Sequence, residues 1–494
     1  MYKKIFIALM MTLCSPTTQI FTADSGTLDV TFNPTGIRPG TVSTNIDNTL
    51  LDNFGQSVVV QNDGKIVVAG FTSIGGIFRF AVARFNTDGS LDTTFNTAGP
   101  QPGTVSTTIN NNVVENSFGQ SVALQSDGKI VVAGYANVSG VRQFAVARFN
   151  TNGTLDATFN TTGAQPGTLT TTIDGDNFDA VGQSVTIQND DKIVVAGFAF
   201  TSATVFGYKF AVARLNTDGT LDTTTFNTAG PQAGTVSTTI DNQTSSFGRS
   251  VALQSNGKIV VAGDGGVNGF AVARFNTDGT LDTTTFNTGG VQPGTVSTTV
   301  DNGTSNLARS VAIQSDDKIV VAGSSTVDGS NKFAVARFNT NGTLDTTTFN
   351  AGGVQPGTVS TGIDGISTNA DGYSVALQSD GKIVVAGEAT ILITKFAVAQ
   401  FNTNGRLDAT FNTAGPQPGT TSTRIDNSIT NFGQAVALQI DGKIVIAGYM
   451  STNSIFKFGV ARFNGDQPVP PAPIVTPCVL KLILKYRPRL VVES

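Results

Sequence analysis

Apolar residues in this chain come in short, near-continuous runs. Val, Ala, Ile and Phe dominate them, and clusters of Gly, Asn, Asp and Pro bound them. Runs such as SVALQ, KIVVAG and FAVARFN carry no helical period over a useful length. Their shortness and β-branched content predict strands. Continuous rather than alternating apolar character predicts sheets covered on both faces. Four strands recur in one order: A (SVALQ), B (KIVVAG), C (FAVARFN) and D (TVSTTI). Strands A and B are joined by QSDGK or close variants, a strong hairpin signal because Gly takes positive φ without strain. Two copies read NDDK and SDDK, which puts Asp191 and Asp317 in the left-handed position at a cost of about 1 kcal/mol each.

The pattern repeats with a period of about sixty residues. KIVVAG, or KIVIAG once, starts at Lys65, Lys129, Lys192, Lys258, Lys318, Lys382 and Lys443. FAVARFN or a near copy follows at Phe80, Phe144, Phe210, Phe270, Phe333, Phe396 and Phe458. LDxTFN or LDTTTFN begins at Leu28, Leu91, Leu155, Leu221, Leu281, Leu344 and Leu407. The chain enters at LDVTFN and a D strand (41–46) and leaves after strand C of the seventh copy, ending at Asn464. That phase lets the N-terminus lend the missing D strand to the last copy. A linear array would need capping units instead. The predicted fold is therefore all-β: a seven-bladed β-propeller of four-stranded antiparallel blades, closed by an N-terminal strand that completes the last blade.

The unit QSDGKIVVAG…FAVARFNTDGTLDTTFN resembles the delta-60 repeat of bacterial exported and surface proteins. The resemblance runs from Leu28 to Asn464 and implies a β-propeller. It implies no catalytic residues, because the biochemical role of that family is poorly defined.

Composition narrows the chemistry. The chain has no His and no Trp, and Glu occurs only at Glu115, Glu388 and Glu493. Histidine-based acid–base catalysis, histidine-ligated metals and Ser-His-Asp triads are excluded, as is a tryptophan-lined sugar site. Residues 1–23 read as a signal peptide, with Lys3 and Lys4 ahead of an apolar core too short to span a bilayer. Residues 24–465 form the propeller, 466–477 a proline-rich linker, and 478–494 a basic and apolar tail. With the leader removed, Cys478 is the single cysteine, so packing alone must hold the fold. Setting aside the charged residues of both ends, the propeller carries about −9, which argues against nucleic acid as a partner.

Four antiparallel strands put the A–B and C–D connections at one end and the B–C and D–A connections at the other, here called the top. The bottom connections are near copies of one another. The top ones vary, as at 71–79, 198–209 and 264–269. Drift of unconstrained loops and diversification of a binding face explain this equally well.

Three constellations are candidates. The bottom loop FNTDGTLD carries Asn86, Asp88 and Asp92 with an oxygen spacing similar to calcium loops. It lacks the bidentate Glu, so pairing of Asp92 with Arg84, repeated in each copy, is favoured over metal. The aspartates after strand D (Asp47, Asp174, Asp241, Asp301, Asp364 and Asp426, with Asn110 in the odd copy) would form an acidic top rim. A local Asx-turn is the structural alternative. Just before strand A stand Gln56, Gln120, Gln183, Arg249, Arg309, Tyr373 and Gln434. With A innermost these would ring the mouth of the central channel, as a polar ligand pocket or as hydrogen bonds between blades. Arg249 and Arg309 in consecutive copies would hold an anionic group unless Asp241, Asp301 or a nearby loop aspartate neutralises them.

The sequence thus predicts an exported, non-enzymatic propeller acting as a binding module in the periplasm, on the outer surface or outside the cell. Its partner is an unknown protein or a polar or anionic ligand on the top face, with envelope contact through the tail as a further reading. A monomer is expected, with no cofactor, no metal and no catalytic residues. The alternatives are a purely structural repeat protein and a glycan-active enzyme, the latter resting on Glu115 and Glu388 in top-face loops with Tyr373 near the mouth.

Overall fold

The computed structural model describes residues 24–200, 207–266, 269–365, 369–390 and 392–466. The leader, the basic tail and nearly all of the proline-rich linker lie outside the described residues. Within them the strands form seven four-stranded antiparallel sheets. Blade 1 holds strands A (Asn53–Val60), B (Ile66–Ile74), C (Ile77–Phe85) and D (Thr104–Thr107) in that spatial order. Blades 2 to 6 repeat it. Blade 7 takes A (Thr430–Leu438), B (Ile444–Thr452) and C (Ile455–Phe463) from the C-terminal end. Its strand D (Thr41–Thr44) comes from the N-terminus, with Thr41 opposite Ala461 and Thr44 opposite Phe458. This is the closure that the phase of the repeat predicts.

Strands B and C meet the expectation of two covered faces over their lower two-thirds, where runs of five or six residues are buried, and are half-buried towards the top. Strand A departs from it: buried and half-buried residues mix along its length, because A lines the central channel. The apolar cores lie between blades, not within them. One joins Val67, Phe80 and Val82 of blade 1 to Val122, Ile130 and Ala147 of blade 2. Another places Phe32 and Ile46 of the N-terminal segment with Val445 and Val460 of blade 7 and Ile66 of blade 1.

The innermost strands approach closely. A Cβ added at Gly119 would stand 2.4 Å from the carbonyl oxygen of Gly70 in the preceding blade, and one at Gly55 2.4 Å from that of Gly448. Only hydrogen fits there. Directly after this glycine, strand A bulges by one residue in every blade, as between Gly55 and Ser57. The serine beyond the bulge accepts a hydrogen bond from strand A of the next blade: Val122 N donates to Ser57 Oγ at 3.2 Å, and Val185 N to Ser121 Oγ at 3.1 Å. Blade 7 has Ala435 at this position, so the junction with blade 1 lacks that bond.

The bottom loops carry a repeated ionic node. Arg84 Nε donates to Asp92 Oδ2 at 2.7 Å, Lys65 lies 3.2 Å from the same oxygen, and the guanidinium stacks 4.5 Å from the Phe95 ring. Arg84 Nη1 also donates to Thr151 O of the next blade at 2.6 Å. Burial opposes ionisation of Asp92. Hydrogen bonds from Thr94 and Lys65, with the Arg84 charge, outweigh it and hold the carboxyl at about 2. The FNTDGTLD loop is thus built on Asp–Arg pairing. The closing copy draws its aspartate from the other chain end: Asp29 accepts from Arg462 Nε at 2.7 Å and faces Lys443 at 3.0 Å. Asp191 and Asp317 are left-handed as expected, both at φ 61. Each gains a compensation from the preceding blade, Ser126 N donating to Asp191 at 2.9 Å and Ser255 N to Asp317 at 2.8 Å.

Two outcomes follow from this geometry. Deleting residues 24–47 removes strand D of blade 7 and the partner of Arg462, leaving a bare sheet edge. Equilibrium unfolding of the variant should lose its single cooperative transition or the protein should aggregate; a monomer that melts like the intact chain contradicts the closure. Ala435→Ser should supply the missing bond to the strand A of blade 1. Denaturant unfolding should then show a gain of about 1 kcal/mol, and a loss would show that the junction has no room for the hydroxyl.

Candidate functional site

The expected acidic rim is consumed by the fold. Each aspartate after strand D has positive φ and reaches the next blade. Asp47 accepts from Ser106 Oγ at 2.5 Å, and Asp426 from Ser43 Oγ at 2.6 Å across the closing blade. Asp174, Asp241 and Asp364 accept from Ser237, Ser297 and Ser422. Asp301 accepts from Thr358 at 3.3 Å, and Asn110 Nδ2 donates to Thr170 at 2.8 Å. These are ties between blades, neither a free rim nor purely local turns.

The bulge does the reverse. Its extra residue is the one that strand pairing leaves over, and in the seven blades it is Gln56, Gln120, Gln183, Arg249, Arg309, Tyr373 and Gln434. All seven side chains line one cavity of about 190 Å³ on the axis, together with the serines that follow them. They belong to the middle of strand A rather than preceding it: Gln56 is the fourth residue of Asn53–Val60. The ring therefore sits inside the channel, a throat rather than a mouth.

Towards the top of the throat runs a second ring that the sequence did not single out. In each blade one residue of strand A is paired with the residue that follows the B-strand glycine: Phe54 with Phe71, Phe118 with Tyr135, Phe432 with Tyr449. Ring centroids lie 4.9 to 5.0 Å apart in an unbroken chain from Phe432 through Tyr449, Phe54, Phe71 and Phe118 to Tyr135. In blades 4, 5 and 6 the pairs become Phe247–Asp264, Leu307–Ser324 and Asp371–Glu388. The collar is aromatic across blades 7, 1 and 2 and polar across blades 4 to 6. Comparing the residue after each KIVVAG would have revealed it.

The charged wall corrects the arginine expectation. Asp264, within strand B (Ile259–Gly265), accepts from Arg249 Nε at 3.1 Å. Neither Asp241 nor Asp301 reaches it. Burial works to lower the pKa of Arg249, and burial also pushes Asp264 up against the pull of its partner. Arg309 forms no salt bridge among the described residues and faces the Tyr373 ring at 5.6 Å. The two glutamates of the enzyme reading do not meet. Glu115 is in blade 2, its carboxylate taken by Asn112 and by the N–H groups of Ser139 and Gly140. Glu388 is not in a loop; it stands in strand B of blade 6 (Ile383–Thr390), directly opposite Asp371. Burial first, and then the Asp371 carboxylate, push Glu388 up to about 7. The top loops of the aromatic sector also expose apolar side chains, Leu50 and Val114 at 75% and Ile429 at 66%.

A repeat-built, seven-bladed propeller with a polar throat is the class this geometry defines. Seven segments, residues 61–95, 125–159, 188–224, 254–284, 314–347, 378–411 and 439–466, match the model of the family described as "Domain of unknown function (DUF5122) beta-propeller". No curated protein matches. Similar solved structures include a catalytically inactive virginiamycin B lyase from Staphylococcus aureus with quinupristin, at 10% identity over 85% of this chain and 98% of that one, TM-score 0.44. A protein of unknown function from Dyadobacter fermentans is 9% identical over 87% and 100%, TM-score 0.40. An ulvan lyase is 11% identical over 86% and 96%, TM-score 0.42. At these values the likeness carries no argument about activity.

The Glu388 environment has a measurable consequence. Its folded pKa of about 7 lies above the ordinary 4.5, so the folded state holds a proton that the unfolded state releases. That stabilisation is complete below about pH 4.5 and is lost as pH rises through 7. The chain has no histidine to titrate in this range; burial raises Asp264 as well, which acts in the same direction, and the variant separates the two. The groups that face Glu388 are Asp371, Tyr373 and Tyr449, and both tyrosines are held well above neutral by burial. The melting temperature should fall between pH 5 and pH 8, and Glu388→Gln should flatten that slope. An unchanged slope in the variant would assign it to another group.

Proposed function

We propose that this protein is an exported, non-enzymatic binding module that takes a polar ligand into the throat from the top face. One observation carries the reading: seven residues that strand pairing leaves over converge on a single axial cavity. The residue before each (glycine, or Ala308 in blade 5) and the serine after it in six blades are committed to blade packing, so the bulge residue is the position the repeat leaves free to vary. It varies as a binding site would, from amide to guanidinium to phenol. Arg309, with no carboxylate partner, supplies a cation for an acceptor group on the ligand. On the top face, Leu50, Val114 and Ile429 add exposed apolar surface beside the aromatic sector.

Tyr373 shows that the ring accepts an aromatic residue, so Gln120→Phe with Gln183→Phe fills the throat without disturbing the bulge. The intact chain and this double variant, immobilised side by side, should be exposed to envelope fractions and to culture medium. A ligand retained by the intact chain should be retained at least tenfold less by the variant at an unchanged melting temperature. Equal retention by both would place binding elsewhere.

A further inference from the structure

The collar specifies charge as well as polarity. Four blades break its pattern of paired rings; blade 3 keeps an apolar pair, Val181 with Phe198, and two of the three polar breaks are explained by the chain itself. Asp264 answers Arg249, and Leu307 with Ser324 is a neutral pair. The third is not. Asp371 and Glu388 are directly opposed across strands A and B, an arrangement that costs a sheet stability. The fold does not require it, since the adjacent blade uses Phe432 and Tyr449 at the same two places. Asp371 has a donor, Asn331 Nδ2 of the preceding blade at 3.1 Å. Glu388 Oε2 is sealed from solvent with no hydrogen-bond partner, an omission that costs the fold stability. Among the described residues neither carboxylate forms a salt bridge, and Arg309 turns to the Tyr373 ring instead.

What surrounds the pair is aromatic. Tyr373 lines the throat cavity two residues after Asp371, and Tyr449 belongs to the next blade; the charge of Glu388 is felt by both phenols. From Tyr449 the chain of rings continues through Phe54 to Tyr135. A hard metal ion needs six or more oxygens, and among the described residues no group of three acidic side chains is assembled to hold one. An ammonium group needs only a few acceptors, gains from aromatic faces and brings hydrocarbon with it.

We propose that Asp371 and Glu388, with the rings of Tyr373 and Tyr449, form a subsite for an organic ammonium group carried on an apolar body, which the aromatic collar of blades 7 and 1 covers. The subsite rests on the throat reading above and names the charge of the ligand that reading leaves open. The ammonium donates to the orphaned Glu388 oxygen and relieves the repulsion between the two carboxylates.

Three probes of one shape separate the cases: benzylammonium, benzyl alcohol and benzoate, each titrated into the full chain at pH 8 by calorimetry and thermal melting, with calcium chloride as a fourth. Benzylammonium should bind at least tenfold more tightly than the alcohol or the acid and raise the melting temperature. Glu388→Gln and Asp371→Asn should each weaken it tenfold or more. The double change Asp371→Phe, Glu388→Tyr, which installs the pair of blade 7, should melt above the native chain and ignore the amine. Equal binding of amine and alcohol, a calcium shift in place of the amine, no response to benzylammonium at millimolar concentration, or an amine response that survives the double change would each overturn the subsite. Should all three probes bind equally and be lost from the filled-throat variant, the ammonium subsite falls and the throat reading stands.

Discussion

The whole molecule depends on how closely its seven innermost strands can approach. At six of the seven junctions a glycine carbonyl of strand B lies against the position where the next blade's strand A has only a hydrogen, 2.2 to 2.5 Å from where a Cβ would be. That contact brings the A strands near enough for the serine of one to accept from the backbone of the next. The bulge between glycine and serine lets both be met within one strand. The residue left over points at the axis. The site is a by-product of the packing: a ring of seven side chains exists because the blades must touch this closely, and its chemistry is free because none of them holds the contact. Blade 5 has Ala308 where the others have glycine, so the constraint bends at one junction without breaking the ring.

Closure uses the same bonds as every other junction, supplied from two ends of the chain. Asp29 does for Arg462 what Asp92 does for Arg84. Gly26 N donates to Asn464 O at 2.7 Å and Asn464 N to Thr27 O at 2.8 Å, so the ends are stitched by backbone as well as by charge. Blade 6 shows how the node adapts. Gln400 replaces the arginine, and Asp466, just past the last strand, accepts from both Gln400 and Lys382 at 2.6 Å. At the perimeter Arg38 stands where other copies place a glutamine that accepts from an N–H of the preceding blade, and it lies near Arg424. The joined blade thus keeps the buried node and gives up two lesser ties, the serine at Ala435 and the glutamine at Arg38.

Much of this is legible in the sequence because repetition makes local signals redundant. Seven KIVVAG runs, the Asp-Gly turns and the offset of the first D strand define blades, hairpins and closure. The seven throat residues are legible too, since alignment of the copies isolates a varying position between fixed neighbours. What is not legible is contact between copies. Asp47 reads as a turn residue, yet its partner Ser106 is a whole repeat away. A nearby loop aspartate as the partner of Arg249 is legible, but the place of Asp264 is not: it reads as the start of a variable loop, and strand B runs on to include it. Glu388 was misplaced for the same reason. KIVVAG ends where identity between copies ends, not where the strand ends.

That last distinction explains why the collar carries more information than the loops above it. A loop varies because little restrains it. The collar varies within strands that are paired, buried on one side and packed against a neighbour, where a change has a cost. Phe and Tyr fill both its positions in blades 7, 1 and 2, the outcome expected when only packing is at stake. Aspartate opposite glutamate, in a protein whose charged residues are only 13% of the chain and whose bottom-loop carboxylates, Asp92 and Asp29 among them, are met by arginine and lysine, is not a packing outcome. Seven near-identical copies act as internal controls for one another. The place where one copy accepts a penalty that its neighbour avoids is where something other than folding has acted on the sequence.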